Sequence, residues 1–404
     1  MPSDVDFMQA GLPRLQLNRA VVVALSILAT LGLACGNLPE PCKGSRHGTC
    51  ASPTQGTLLP PLDPGIDISV VDASAPFDGG IPPRRRAILV SVDGLGATYL
   101  RQQLDRGKLP NFAALGRAGA STLNARADYA YTITLPNHTS MLTGRPVSAD
   151  DDLPNTTYHG WTSNADVDFS VTLHNAGNPN LHYIASVFDV VHDHGLSTCL
   201  YSGKTKFTLF SNSYNAKNGA PDTTGEDDGR NKVDRVAIFY QQTDMVVSTA
   251  LGDLAGGVCD FAFIHLADTD WVGHDQGWGS DAWLSTLDTI DEWIGRIAKF
   301  ANAWDTSEPF ALVVTADHGG IDHGHSDATL PVDYTIPFYV VGPGIPLGSD
   351  LYALTGTERV DPGNTRPRYS APLQPVRNAD AANAITALLG LPPVPGSSMR
   401  DLLE

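Results

Sequence analysis

The sequence contains few basic residues. Its 26 Lys and Arg oppose 44 Asp and Glu, which gives a formal net charge of -18 over 404 residues. A protein that binds a nucleic-acid duplex uses basic side chains to displace counterions from the phosphates, and this sequence has no basic stripe. We therefore expect no nucleic-acid duplex as a partner. An anionic ligand would need a local positive centre, which bound divalent cations would supply.

Cysteine is also scarce, with five residues and no zinc-finger spacing. Cys42 and Cys50 lie close together in a Gly/Pro/Ser-rich stretch and are predicted to form a small disulfide in an oxidising compartment. Cys199 and Cys259 stand in strand-like apolar segments. We expect each of these two to be a buried thiol that acts as a small hydrophobic side chain.

The apolar run at residues 20–34 is too short for a comfortable membrane span. It follows Arg14 and Arg19 and ends in small residues before Cys35, an order typical of a secretory signal. We predict that residues 1–34 are a signal peptide of the bacterial lipoprotein type and that a lipidated Cys35 attaches the protein to the membrane. Ordinary signal cleavage and a transmembrane anchor are the alternatives. All three place the remainder in the cell envelope or outside the cell, not in the cytoplasm.

Residues 35–85 are rich in proline and glycine and lack apolar periodicity, so they are predicted to be an extended tether. The predicted globular domain covers residues 86–404. Within it, short polar and turn-rich stretches at 149–157, 213–231 and 347–372 are expected to be surface loops or a small cap near the functional site.

Apolar strand-like runs alternate with helical patterns through the domain. The runs at 87–92, 198–201, 261–266, 310–315 and 337–341 have few polar positions, as expected for strands buried on both faces. Helical spacing occurs at 109–119, 138–144, 186–192 and 282–301. This alternation predicts an α/β fold with a doubly wound, mostly parallel sheet, helices on both faces, and loop or cap insertions.

Three aspartates follow apolar strand runs at their ends. Asp93 follows the first run, Asp270 comes shortly after 261–266, and Asp317 comes just after 310–315. Ligands of such sheets bind beyond the carboxyl ends of the strands, so these carboxylates are expected to gather at one edge.

Three histidines accompany these aspartates. His274 is four residues after Asp270, His318 is next to Asp317, and His325 follows soon after, with His323 as its competitor. Three carboxylates and three imidazoles suit two divalent cations, most simply zinc. Such a centre activates a nucleophile for phosphate-ester chemistry, so the sequence predicts a metal-dependent hydrolase.

Thr134 is the predicted nucleophile, because a metal can activate a threonine hydroxyl at a helix start, where backbone N–H groups favour an anion. Asn137 is predicted to donate to a phosphoryl oxygen in the transition state. The alternative is that Thr134 only caps the helix. Further candidates for substrate contact are His159, Asn164, Lys204 and Lys206, although a structural role or simple exposure is the favoured interpretation of each. His265 is expected to be a hydrogen-bonded core residue or to support a metal ligand.

Taken in order, these motifs resemble those of the alkaline phosphatase superfamily, and in particular the type I nucleotide pyrophosphatase/phosphodiesterases. The resemblance implies an alkaline-phosphatase-like fold and two zinc ions. It assigns one ion to Asp93, Thr134, Asp317 and His318, and the other to Asp270, His274 and His325. It also implies that Thr134 attacks phosphorus to give a covalent phosphothreonine intermediate.

Two departures from the family pattern bear on function. The last imidazole ligand of the family usually comes much later in the chain, whereas no histidine follows His325. The Cys-x-Pro-x-Arg motif of sulfatases is absent from the sequence. The expected substrates are small phosphate diesters or pyrophosphates, such as nucleotides. The alternatives are a phosphomonoesterase or phosphonate hydrolase, and a binding lipoprotein without turnover.

Overall fold

Eight strands form one sheet in the computed structural model, which describes residues 85–150, 153–303, 310–356, 358–399 and 402–403. The strands are β1 (Arg86–Val92), β2 (Ala120–Arg126), β3 (Thr198–Ser202), β4 (Arg235–Ile238), β5 (Phe261–Leu266), β6 (Phe310–Thr315), β7 (Thr335–Val341) and β8 (Ser349–Asp350). The predicted signal peptide, Cys35, the Cys42–Cys50 pair and the tether up to residue 84 lie outside the described residues, so those assignments stay predictions.

The sheet order is β4-β3-β5-β1-β6-β7-β2-β8. Strands β4, β3, β5, β1 and β6 are parallel, and β7 runs antiparallel to both β6 and β2. All residues of β5 and β6 are buried, as their apolar sequences predict. The predicted doubly wound, mostly parallel α/β sheet is confirmed, with one reversed strand near its edge.

The helices are α1 (Ala97–Asp105), α2 (Pro110–Ala118), α3 (Thr134–Thr143), α4 (Leu173–Ala176), α5 (Val187–Asp193), α6 (Thr208–Ser213), α7 (Thr243–Ala255), α8 (Asp268–Gln276), α9 (Asp281–Ala303), α10 (Pro331–Tyr334), α11 (Leu351–Leu354) and α12 (Asp380–Leu389). One layer packs α12 against β1 and β6 and against α3 and α5. Another group joins α9 to β6, α2, α7 and α8. Trp283, Leu287 and Ile290 form part of the buried stripe that the spacing of α9 predicts.

Cys199 and Cys259 form a disulfide, so the prediction of two separate buried thiols was wrong. The Cα atoms lie 5.8 Å apart across a sequence separation of 60 residues. Cys199 lies in β3 and Cys259 just precedes β5, and these two strands are neighbours in the sheet. Their proximity depends on strand order, which the local sequence around each cysteine does not contain.

The turn-rich stretches contain more structure than the sequence predicts. Residues 347–372 include β8 and α11. Residues 213–231 contact the end of α5 through Asp222, which lies 3.1 Å from the Nδ1 of His192. That helix end leads into the start of β3, so this contact lies at the amino-terminal edge of the strands. Within the described part of the chain, no helix is long and apolar enough to cross a membrane.

Candidate metal centre

Asp93, Asp270 and Asp317 lie at the same edge of the sheet. Asp93 directly follows β1, Asp270 lies in the first turn of α8 after β5, and Asp317 follows β6. Because β5, β1 and β6 are adjacent and parallel, their carboxyl ends place the three side chains together. All three residues are buried.

Each carboxylate has one oxygen held by the protein. Asp317 Oδ1 accepts hydrogen bonds from the backbone N–H groups of Gly94 at 3.0 Å and His318 at 2.9 Å. Asp93 Oδ2 contacts His265 Nε2 at 2.9 Å. The other oxygens, Asp93 Oδ1, Asp270 Oδ1 and Asp317 Oδ2, are buried and make no hydrogen bond to any described residue. A native protein rarely buries such atoms without a partner, so they mark a site for a cation.

The three imidazoles show the same arrangement. Nδ1 of His318 lies 2.8 Å from the Gly319 carbonyl oxygen, and Nδ1 of His274 lies 3.0 Å from the carbonyl oxygen of His323. Nδ1 of His325 lies 2.6 Å from the Thr132 carbonyl oxygen. A carbonyl oxygen only accepts, so each Nδ1 carries the proton and each neutral Nε2 is free to bind a metal.

These Nε2 atoms lie near the unpaired carboxylate oxygens. His318 Nε2 lies 3.2 Å from Asp317 Oδ2 and 3.5 Å from Asp93 Oδ1. His325 Nε2 lies 3.6 Å from Asp270 Oδ1 and 3.1 Å from His274 Nε2. The geometry therefore favours His325 over His323, whose Nδ1 contacts the backbone oxygen of His274 instead.

His325 reaches the centre through the segment before α3. The Nδ1 of His325 contacts the backbone oxygen of Thr132, and the backbone oxygen of His325 accepts a 2.5 Å hydrogen bond from Thr132 Oγ1. These two reciprocal bonds fix the loop after β6 onto the segment that leads to Thr134. His325 thereby lies beside Asp270, although it is only seven positions after His318 in the sequence.

The electrostatics of this cluster favour cation binding. Burial raises the pKa of Asp317 well above its usual value, and the charge of Asp93 adds to this effect. Burial, with the neighbouring His325, lowers the pKa of His318 to about 3. Asp93, Asp317 and His318 form one potential ligand group and Asp270, His318 and His325 another, with the donor atoms of each group within 4.8 Å of one another. Carboxylates with neutral imidazoles suit zinc-like ions, so the residues present fit two divalent cations.

Thr134 begins α3 but does not cap it. Ile133 is the N-cap residue and no side chain makes a capping hydrogen bond there, so the cap alternative is not supported. The Thr134 side chain is buried, with Oγ1 3.5 Å from the Nζ of Lys204. The hydroxyl thus lies next to a cation that also contacts Asp93 and Asp270.

Asn137 has a structural role in this conformation. Its Nδ2 donates to the carbonyl oxygens of Tyr131 at 2.8 Å and Ile133 at 3.1 Å. Its Oδ1 accepts from Asp128 N and from Asn378 Nδ2, both at 2.8 Å. Because both N–H donors are engaged, the structure does not support the predicted donation to a phosphoryl oxygen. Asn137 instead holds the turn that presents Thr134.

Asn164 has a side chain that contacts the first turn of α3. Its Oδ1 accepts a hydrogen bond from the backbone N–H of Leu135 at 3.0 Å, which places it at the start of α3 beside Thr134. His159, five residues earlier, is buried and its nitrogens contact Ser140 Oγ and the Trp161 N–H. His159 therefore holds the loop by hydrogen bonds, and the side chain of Asn164 lies at the start of α3.

Lys204, which the sequence suggests only as one of four candidates for substrate contact, lies among the acidic residues of the cluster. Its Nζ lies 2.7 Å from Asp93 Oδ2 and 2.5 Å from Asp270 Oδ2. Burial alone would lower the pKa of Lys204, but the two carboxylates outweigh that effect and raise it. The available signal was its position, two residues beyond the end of β3, at the edge where Asp93 and Asp270 also follow their strands.

Two other groups of histidines and acids have internal partners. His265 Nδ1 contacts Ser202 Oγ at 3.1 Å while its Nε2 contacts Asp93, so it supports the Asp93 ligand as expected. The group of His192, Asp193 and Asp222 includes the ammonium of Lys232, which lies 2.9 Å from Asp193 Oδ1. An internal cation thus already pairs with both carboxylates of that group.

Comparison with known proteins identifies the family of this chain. The family of type I phosphodiesterases/nucleotide pyrophosphatases matches residues 87–336, more than half of the chain. The chain therefore belongs to the type I phosphodiesterase/nucleotide pyrophosphatase family. No curated protein matches it.

Two solved structures have a similar fold. An inactive variant of murine ectonucleotide pyrophosphatase/phosphodiesterase 5 in complex with AMP has a TM-score of 0.51 and 13% identity, covering 77% of this chain and 96% of its own. An alkaline phosphatase superfamily protein from Vibrio parahaemolyticus has a TM-score of 0.51 and 14% identity, covering 83% of this chain and 76% of its own. At these identities the likeness establishes the alkaline-phosphatase-like fold.

Proposed function

We propose that the protein is a two-metal hydrolase of small phosphate diesters or pyrophosphates. One divalent cation would be held by Asp93, Thr134, Asp317 and His318, and the other by Asp270, His274 and His325. The main support is the set of four buried donor atoms that converge without hydrogen bonds, namely Asp93 Oδ1, Asp270 Oδ1, Asp317 Oδ2 and His318 Nε2. Zinc is the metal that this donor set fits best.

In the proposed reaction, Thr134 Oγ attacks phosphorus. The bond from Oγ to phosphorus forms, the bond from phosphorus to the leaving oxygen breaks, and the Thr134 hydroxyl proton is lost to solvent. Water then attacks phosphorus and breaks its bond to Thr134 Oγ, so that the phosphoryl group leaves as a monoester with its remaining substituent and a proton restores the hydroxyl. Bound cations would supply positive charge that stabilises the attacking, leaving and non-bridging oxygens.

The chain's own residues position these groups. Asn137 and the start of α3 hold Thr134 in place. Asn164, whose Oδ1 is fixed on the Leu135 N–H, has an Nδ2 for which no hydrogen bond is made among the described residues. We assign Asn164 the donation to a non-bridging phosphoryl oxygen that builds charge in the transition state.

The expected substrates are nucleotide-like. The murine protein of similar fold binds AMP, and this supports a small nucleotide-type ligand here. The family includes nucleotide pyrophosphatases, in agreement with that ligand class.

The defining experiment is hydrolysis of bis-p-nitrophenyl phosphate by zinc-loaded protein. Chelation and Thr134→Ala should both abolish turnover, whereas Thr289→Ala on the exposed side of α9 should have no effect. Acid quenching followed by mass spectrometry should find a p-nitrophenyl phosphoryl group on Thr134. Full activity in the Thr134→Ala protein would exclude the proposed nucleophile.

We also propose that the protein works outside the cytoplasm as a lipid-anchored lipoprotein. The Cys199–Cys259 disulfide supports an oxidising compartment. In a bacterial host, radiolabelled palmitate should enter the wild-type protein and should not enter a Cys35→Ala variant. Equal labelling of both proteins would exclude the anchor at Cys35.

A further inference from the structure

Lys204 lies within the proposed metal centre and holds two of its carboxylates. Its Nζ contacts Asp93 Oδ2 at 2.7 Å and Asp270 Oδ2 at 2.5 Å. The Oδ1 atoms of the same two aspartates remain unpaired. The ammonium and the cations therefore need not compete, since Lys204 uses the Oδ2 atoms and the cations would use the Oδ1 atoms.

The third N–H of this ammonium is directed toward the proposed nucleophile. Two of its three donors are taken by Asp93 and Asp270, and the next polar atom is Thr134 Oγ1, 3.5 Å away. Attack by Thr134 would attach phosphorus to that oxygen. The non-bridging phosphoryl oxygens would then lie beside the ammonium of Lys204.

We propose that Lys204 binds a non-bridging phosphoryl oxygen and biases this site toward phosphoryl groups with two negative charges. This inference rests on the proposed function of Thr134. A phosphate monoester approaches a charge of -2 above its second pKa near 6, whereas a diester carries only one negative charge. The additional substrate charge meets a compact ammonium in a buried site, where charge interactions are stronger than in water.

This bias identifies the terminal phosphate of a monoester, which is the product of the proposed diester hydrolysis, as the most tightly bound ligand class, and diesters or pyrophosphates remain the proposed substrates. It also gives a role to a buried lysine that a centre of two cations would not otherwise need. Lys204 would act as a catalytic residue, because it contacts both the nucleophile and the transferred group.

The first test compares p-nitrophenyl phosphate with bis-p-nitrophenyl phosphate at pH 8 in zinc-loaded protein. Lys204→Met should reduce kcat/KM for the monoester at least about tenfold more than for the diester, because one charge-assisted hydrogen bond is lost. Lys108→Met, at an exposed position between α1 and α2, should leave both values unchanged. If the methionine variant does not fold, Lys204→Gln keeps a polar group without the charge and takes its place.

The second test measures binding rather than turnover. In a zinc-loaded Thr134→Ala background, calorimetry should show inorganic phosphate binding that weakens about tenfold or more on adding Lys204→Met. Equal losses on both esters with unchanged phosphate affinity would overturn the inference, as would loss of zinc in both Lys204 variants. An active Thr134→Ala enzyme would instead refute the proposed nucleophile, so the two failures are distinguishable.

Discussion

The imidazole rings of His318 and His325 stack, with centroids 3.7 Å apart and an interplanar angle of 5°. Two charged imidazoles would repel each other at this separation, and burial further disfavours the charged forms. In agreement, the pKa values of both residues are lowered, chiefly by burial. The stack thus brings together two neutral Nε2 donors, one for each proposed cation.

The first prediction concerns His325. Replacing it with alanine removes the third ligand that we assign beside Asp270 and His274. Zinc measured by mass spectrometry should fall from two ions per chain to one, with a parallel loss of diesterase activity. His323→Ala removes a neighbouring imidazole whose Nδ1 contacts only a backbone oxygen, so it should keep both ions. Two tightly bound zinc ions in the His325→Ala protein would refute this assignment.

The positions of the three aspartates were predictable because each depends on local pattern. An apolar run followed within four residues by an aspartate is visible before Asp93, Asp270 and Asp317, and parallel strands bring their carboxyl ends to one edge. The helical spacing at 138–144 begins four residues after the observed start of α3 at Thr134, and Pro136 lies between these two positions. Proline is tolerated in the first turn of a helix, because the backbone N–H groups of that turn make no hydrogen bond within the helix.

Other features were hidden because they depend on strand order. The Cys199–Cys259 disulfide requires β3 to lie beside β5, and Lys204 reaches Asp93 because β3 lies only two strands from β1. Strand β2 includes the polar residues Ser121, Thr122 and Asn124, and β4 has only four residues, so neither contains the long apolar run that marks the central strands. The sequence alone therefore predicts the centre of the sheet better than its edges.

The second prediction distinguishes the role of Asn164 in turnover from the role of Asn137 in stability. Loss of a donor to a charged transition state lowers kcat by about 100- to 1000-fold, so Asn164→Ala should reduce turnover with little change in unfolding free energy. Asn137→Ala leaves buried backbone groups unpaired and should destabilise the fold by about 1–3 kcal/mol. Kinetics and urea unfolding measured together check both. A normal kcat in Asn164→Ala would exclude its assigned role.

The third prediction concerns the disulfide. A cross-link that closes a loop of this length stabilises a protein by about 4 kcal/mol when the gain comes from the entropy of the unfolded chain. The double variant Cys199→Ala/Cys259→Ala should lose about that much unfolding free energy. Mild reduction of the wild type should have the same effect, and the double variant should not respond to reductant. Unchanged stability in the double variant would contradict the expected contribution.

The fourth prediction is a pH dependence that arises from His159. Burial lowers its pKa to about 3, with Arg145 contributing, against an ordinary value of 6.5. Between these two values the unfolded chain binds a proton that the folded protein does not, so stability falls as pH falls. From pH 7.5 to pH 5 this residue should remove about 2 kcal/mol of unfolding free energy.

His159→Gln provides the matched comparison, because glutamine stays polar but does not titrate. Urea unfolding with chelator present should show a shallower pH dependence in this variant than in the wild type. Identical pH dependence in the two proteins would mean that His159 is not buried as a neutral group.

The fifth prediction concerns Gly273, which lies between Asp270 and His274 in α8. An added Cβ would lie 2.5 Å from Cε2 of Trp278, whose Nε1 donates to the Gly94 carbonyl oxygen at 2.9 Å. Gly273→Ala must therefore move either the indole or the helix that carries both proposed ligands. We expect a destabilisation of about 1–3 kcal/mol together with weaker zinc binding.

Gly252 in α7 offers the control, because a Cβ added there would contact nothing within 4 Å. Gly252→Ala should stabilise the protein by about 0.5–1 kcal/mol, since alanine loses less conformational freedom in a helix. The contrast isolates crowding at Trp278 from the general effect of glycine in a helix. If Gly273→Ala were as stable as Gly252→Ala and bound zinc normally, the indole would not constrain the backbone between the two ligands.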